Sequence, residues 1–245
     1  MIEPGPAAAR SVRLVHSGDC HLGSDTRDDC SSRHAFEALI DATRAADAAA
    51  LVVAGDLFDH NRVADETISW ALGELGRLDC AVILLPGNHD SAVLAGLAAR
   101  DDVAERWPRL AIITAPDGEV VHVPAAGLHV WGRALVDHVP QFRPLQGIPP
   151  RPADGWSVAL GHGLVVKDGN PQRRASPILP ADIEIVDWDY VALGHVHVYR
   201  VVREPPAAPV VYCGATASSR DGRPGAVLVE FSATGGVRFR WQPIG

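Results

Sequence analysis

Short apolar runs punctuate the chain, and five of them stop abruptly on polar residues. Leu14-Val15, Leu51-Val52-Val53-Ala54, Val82-Ile83-Leu84-Leu85, Val158-Ala159-Leu160 and Tyr190-Val191-Ala192-Leu193 read as buried strands. They lead into Asp19-Cys20-His21, Gly55-Asp56, Gly87-Asn88-His89-Asp90, Gly161-His162 and Gly194-His195-Val196-His197. All five polar clusters are therefore expected at strand C-terminal ends, the edge where open α/β sheets place their sites.

Between the first strands the apolar period becomes helical. Phe36, Leu39, Ile40, Thr43 and Ala46 share one stripe of a helix predicted over about His34 to Ala50. Ile68, Ala71, Leu72 and Leu75 do the same over about Asp65 to Leu78. Strand and helix thus alternate from Ser11 to about Thr114, which implies right-handed crossovers and a largely parallel sheet. From about Glu119 onward β-rich runs dominate, at Glu119 to Val123, Leu128 to Trp131, Val210 to Tyr212, Ala226 to Phe231 and Val237 to Trp241. They predict a second sheet packed on the first. Two loops interrupt it: the proline-rich Asp137 to Asp154, and Lys167 to Pro180 with the cations Lys167, Arg173 and Arg174.

Composition narrows the class. A chain of 245 residues, 47% of them hydrophobic, can bury a full core, and no apolar stretch approaches the roughly 18 residues of a membrane span. The Pro/Ala-rich residues 1–10 read as a disordered terminus without an export signal, and residues 11–245 as one domain. Cys20, Cys30, Cys80 and Cys213 form no C-x-x-C pair, which argues against a zinc knuckle or a disulfide scaffold and for a reduced, cytoplasmic protein. The net charge of -8 disfavours an extended nucleic-acid face but is compatible with phosphate chemistry at bound cations. The tryptophans read as packing residues, with Trp107, just before Pro108, capping a helix end. His16, His34, His122, His129 and His138 have no motif around them and read as solvated or hydrogen-bonded side chains.

The clusters are chemically coherent. On an extended segment Asp19 and His21 would share one face, with Cys20 on the other, and His195 and His197 would pair in the same way. Gly55, Gly87, Gly161 and Gly194 each precede a candidate ligand where a sharp turn calls for positive φ or close packing. Mixed carboxylate, amide and imidazole donors suit manganese, iron, zinc or cobalt.

The ordered set Asp19-x-His21, Gly55-Asp56-x-x-Asp59, Gly87-Asn88-His89-Asp90, Gly161-His162 and Gly194-His195-x-His197 resembles the calcineurin-like metallophosphoesterase superfamily. The filler residues around these motifs are most similar to its SbcD-type DNA-repair exonuclease branch. The resemblance implies a four-layer αββα sandwich with two mixed β-sheets. It implies two divalent transition-metal ions, manganese first among the candidates. Asp19, His21, Asp56 and His197 would hold one ion, and Asp56, Asn88, His162 and His195 the other. A metal-bridging hydroxide would attack phosphorus in line. His89 would protonate the leaving oxygen, oriented by Asp59, one helical turn beyond Asp56. Two departures stand out. His60 follows Asp59 where many relatives carry a phosphate-gripping Arg, leaving His60, Arg62, Arg173 and Arg174 as candidate substrate contacts. The DNA-capping and ATPase-docking parts of SbcD-type nucleases have no counterpart in this sequence, so no ATPase partner is expected.

The sequence therefore reads as a phosphodiesterase with possible nuclease activity. A phosphomonoesterase, or a small-molecule or cyclic-nucleotide phosphodiesterase with a loop-closed pocket, is the alternative. A catalytically silent binding module is the remote one, since every ligand position is filled.

Overall fold

Six strands form the first sheet, in the order β14 (Gly236–Pro243), β13 (Gly225–Ser232), β1 (Val12–Ser17), β2 (Ala50–Ala54), β3 (Ala81–Leu85), β4 (Leu110–Ile112). Strands β1 to β4 run parallel, and β13 lies antiparallel between β1 and β14. The second sheet has the order β11 (Arg200–Arg203), β12 (Val210–Tyr212), β10 (Tyr190–Gly194), β7 (Trp156–His162), β6 (Leu128–Gly132), β5 (Glu119–Val123). Its four inner strands are parallel and its two edge strands antiparallel. The computed structural model describes residues 11–24, 29–166, 175–217 and 223–244. The terminus read as disordered, together with Lys167, Arg173 and Arg174, lies outside them.

Alternation along the strands sorts side chains into three cores. Every residue of β2 is buried, as expected of a parallel strand covered on both faces. Leu51, Val53, Val82 and Leu84 turn toward α1 (Asp29–Ala45), α2 (Asp65–Leu75), α3 (Ser91–Ala98) and α4 (Asp101–Arg106). Val52, Ile83 and Leu85 face Val158, Leu160 and Ala192 of the second sheet. Ala159, Val191 and Leu193 point outward against Leu145, Trp188 and Ile183 of α5 (Pro180–Glu184). The layers are helices, sheet, sheet and a thin outer cover, the two-sheet sandwich expected from the sequence. That cover is mostly the Asp137 to Asp154 loop. Arg143 pairs with the buried Asp182 of α5, and Trp188 Nε1 donates to Pro149 O at 2.8 Å.

Several boundaries differ from the sequence reading. The first helix ends at Ala45, and Ala50 instead opens β2, where it pairs with Leu14 and Ala81; Asp47, at φ 50°, makes the turn between them. The second helix stops at Leu75 with Gly76 as its cap. Trp107 caps α4, its N–H bonding Val103 O at 2.9 Å. The runs at Ala226 to Phe231 and Val237 to Trp241 belong to the first sheet, not the second. The reason is backbone satisfaction: the free edge of β1 is buried, and β13 supplies its partners from Val12↔Phe231 to His16↔Val227. Within the second loop, β9 (Pro177–Ile178) pairs with β8 (Leu164–Val165). Among the described residues no helix is long and apolar enough to cross a membrane.

Leu14 is fully buried between the sheets, remote from the polar clusters. Leu14→Ala should cost about 2–5 kcal/mol in a urea melt without changing metal uptake; a cost below about 1 kcal/mol would contradict this packing.

Candidate metal centre

The clusters converge because the chain leaves its strands through left-handed turns. Asp19 (φ 51°), His21 (49°), Asp56 (54°) and His195 (87°) all lie in that region, at a cost of order 1–3 kcal/mol each. Backbone pairing holds them there: Asp19 N donates to Gly55 O at 3.0 Å, Cys20 N to Asp56 O at 2.8 Å and Leu22 N to Leu57 O at 2.9 Å. The expected strand alternation is therefore corrected. β1 ends at Ser17 and β10 at Gly194, so Asp19 and His21 meet through turns, while His195 and His197 go to different ligand groups. Of the four glycines expected to make sharp turns, Gly55 alone has a positive φ, 95°, and a side chain there would overlap the His162 ring. Gly194 is needed for a different reason: any Cβ would collide with Ala54 O.

Two groups of donor atoms result. Asp19, His21 and His197 form one; Asp56, His162 and His195 form the other; a third combination, His21, Asp56 and His89, connects Asp56 to the first. Asn88 Oδ1 lies 3.0 Å from His162 Nε2 and 3.1 Å from His195 Nδ1. His162 Nδ1 donates to Ala54 O at 2.8 Å, which leaves Nε2 as its ligating atom. His21 Nδ1 lies 3.1 Å from Asp59 Oδ1, turning its Nε2 to within 3.2 Å of His197 Nε2. The seven residues singled out as ligands are thus brought together.

This arrangement fits a cation on chemical grounds. Burial pushes the Asp19 carboxyl up to about 7, and pulls His21 down to about 4 and His195 to about 3, the neutral ligand form. Burial also opposes charge on His162 and Asp56, yet their mutual attraction across 3.2 Å prevails: His162 rises to about 9 and Asp56 falls well below the carboxylate range. The imidazolium supplies positive charge that a bound divalent ion would replace, releasing a proton.

His89 and Asp59 stand beside these groups. His89 Nδ1 donates to the Asp59 backbone carbonyl, not to its carboxylate, which belongs to His21. Asp59 lies in a loop next to the Leu22–Phe58 bridge rather than one helical turn from Asp56. His60 Nδ1 accepts from Arg62 N at 3.2 Å, and Arg62 is exposed. Cys20 is buried, its thiol pushed up to about 12 by burial, with Sγ 3.4 Å from Thr216 Oγ1.

Sequence reasoning missed three supports. Asp90, fully buried, accepts from Gly87 N at 2.8 Å, Leu57 N at 2.8 Å and Phe58 N at 3.2 Å, clamping two ligand loops together. Thr216 Oγ1 donates to Gly18 O at 3.0 Å and contacts Ser17 Oγ at 2.5 Å. His138, set aside as a lone histidine, packs its ring 5.5 Å from that of His195. The set-aside reading suits the others: His16 bonds buried Tyr190, His122 pairs with His129, and His34 is exposed.

A model of the calcineurin-like phosphoesterase family matches residues 12–199. Two curated relatives, from Haloferax volcanii and Methanopyrus kandleri, are each described as DNA double-strand break repair protein Mre11. The first is 32% identical over 235 residues, covering 90% of this chain and 50% of its own length. The second is 27% identical over 272 residues, covering 95% and 57%. This chain thus spans about half the length of the curated relatives it matches. Among solved structures, the TT1561 protein of Thermus thermophilus has a TM-score of 0.61 at 11% identity, covering 96% of this chain and all of that one. A dimetal phosphatase from Danio rerio has a TM-score of 0.54 at 12% identity, covering 98% and 100%. At such identities these structures show the fold alone.

Because Gly55 is both left-handed and packed on His162, Gly55→Ala should cost more than about 1 kcal/mol in a denaturant melt and weaken manganese uptake, read by elemental analysis after dialysis. Unchanged uptake would mean that the His162 ring position does not matter to metal binding.

Proposed function

Since the chain belongs to the calcineurin-like phosphoesterase family, we propose that it is a phosphodiesterase that works with two divalent cations. Asp19, His21 and His197 would hold one, Asn88, His162 and His195 the other, with Asp56 shared. The observation that carries this reading is that Asp56 groups with His162 and His195 on one side and lies within reach of His21, a member of the other group, on the other. Bound there, the cations would polarise phosphoryl oxygens and lower the pKa of a water between them.

The chain's own groups supply positioning and a proton. With Nδ1 committed to the Asp59 carbonyl, Nε2 of His89 is the atom left to protonate the departing oxygen. The Asp59 carboxylate lies 3.1 Å from His21 Nδ1, close enough to attract the ring electrostatically. One residue thus touches a candidate ligand and the candidate acid together. Manganese is favoured by the mixed oxygen and nitrogen donors. A diester substrate is supported by the two relatives, both described as DNA repair proteins; the charge of -8 favours short or small diesters over long duplexes.

Purified protein should bind close to two manganese ions per chain and lose turnover of an activated diester in chelator. Asp56→Ala should abolish both; full turnover with one ion or fewer would overturn the shared-ligand reading. For the acid, His89→Ala should lose on the order of 10² to 10⁴ in turnover of a nucleoside leaving group, and far less with nitrophenolate, with metal content unchanged. Equal losses on both leaving groups would assign His89 a structural role.

A further inference from the structure

The cation sites leave open which protein group binds the substrate's remaining phosphoryl oxygen. Arg62 is exposed with its backbone tied to His60, and His60 offers its Nδ1 to that contact. His138, on the loop after β6, is placed differently. Its ring lies 5.5 Å from that of His195 at an interplanar angle of 52°, beside the group formed by Asp56, His162 and His195.

The side chain is held by a fixed support. His138 Nδ1 lies 2.9 Å from Ser176 Oγ. Ser176 is fully buried and left-handed, at φ 47°. Its N–H bonds Val139 O at 3.0 Å, and its carbonyl accepts from Leu164 N at 3.2 Å. Gly163, directly after His162, lies so close to the Ser176 carbonyl that a side chain there would collide with it. The loop that carries His138 is therefore fastened to the strand end that carries His162. Such support is what an oriented binding group needs, because its rotamer entropy is spent before the substrate arrives. His138 is itself exposed, so the support holds a side chain that solvent can reach.

We propose that His138 is a substrate-binding residue: Ser176 Oγ–H donates to its Nδ1, and Nε2–H donates to a nonbridging oxygen of the phosphoryl group bound at the Asp56, His162 and His195 side. The proposal rests on the phosphoester reading for the identity of the substrate, but not on turnover. Val136 and Val139, exposed and flanking His138 in sequence, would offer apolar surface to the aryl or nucleoside group of a diester.

The test compares wild type, His138→Phe, His138→Gln and Ser176→Ala, all loaded with manganese. His138→Phe keeps a ring against His195 and removes the donor; His138→Gln keeps a donor. Calorimetric titration with inorganic phosphate should show affinity falling about ten-fold in His138→Phe, with most of it retained in His138→Gln and an intermediate loss in Ser176→Ala. KM for an activated diester should rise in parallel, while kcat stays within about three-fold and manganese stoichiometry is unchanged. Wild-type phosphate affinity and KM in His138→Phe would overturn the proposal and leave the phosphodiesterase reading intact, as would loss of manganese in that variant, which would make His138 a support of the metal site. Weakened phosphate binding in His138→Phe, with no turnover of any phosphoester by wild type, would sustain His138 as the anion contact and overturn the hydrolase reading instead.

Discussion

The end of β2 touches the second sheet directly at Ala54. Its carbonyl accepts from His162 Nδ1 and lies so close to Gly194 that no side chain fits there. That meeting sets the tautomer of His162, the spacing between the sheet edges and the direction in which Asp56 leaves its strand. Asp19 depends on it in turn, because its N–H bonds Gly55 O and its carboxylate takes the His195 N–H at 2.9 and 3.1 Å. Ligands from both sheets are therefore fixed by main-chain contacts that operate whether or not a cation is present.

This clustering is unfavourable without a compensating charge. Two buried carboxylates, Asp19 and Asp56, lie among imidazoles of which burial holds His21 and His195 neutral while Asp56 holds His162 charged, and four of the residues adopt left-handed backbone. Strain and desolvation of that kind are tolerated where the surroundings over-determine the geometry. Asp90 and Thr216 do much of that, Asp90 by accepting from three backbone N–H groups and Thr216 by donating to Gly18 O. The helices and the intersheet core contribute the bulk of the stability and leave the edge free to be polar.

The seven donor residues were legible in the sequence because each ends a short apolar run, most of them beside a glycine or a second donor, and that local pattern survives folding. The mechanism that joins them was not. Period-two reasoning treated Asp19 and His21 as strand residues, whereas left-handed turns, which L-residues rarely adopt, carry them into the site. Asp59 was expected to orient His89; it contacts the ring through its backbone carbonyl, a choice that side-chain identity does not encode. Asp90, Thr216 and His138 act across 30 or more positions of sequence, beyond any local pattern. The sheet to which β13 belongs was hidden for the same reason, since an alternating apolar run does not name its partner strand.

The pairing of β1 with β13 carries a consequence for biosynthesis. A strand whose neighbour on one side lies more than two hundred positions downstream emerges from the ribosome with one hydrogen-bonding edge open. Thr216, which fastens the loop carrying Asp19 and His21, is made only shortly before that partner. Asp19 and His21 are thus locked only long after they are synthesised, and until then β1 lies with one edge unpaired. Contacts of such high sequence separation fold late, and an open edge is a site of misassociation until it closes. That exposure ends when β13 returns to pair with β1.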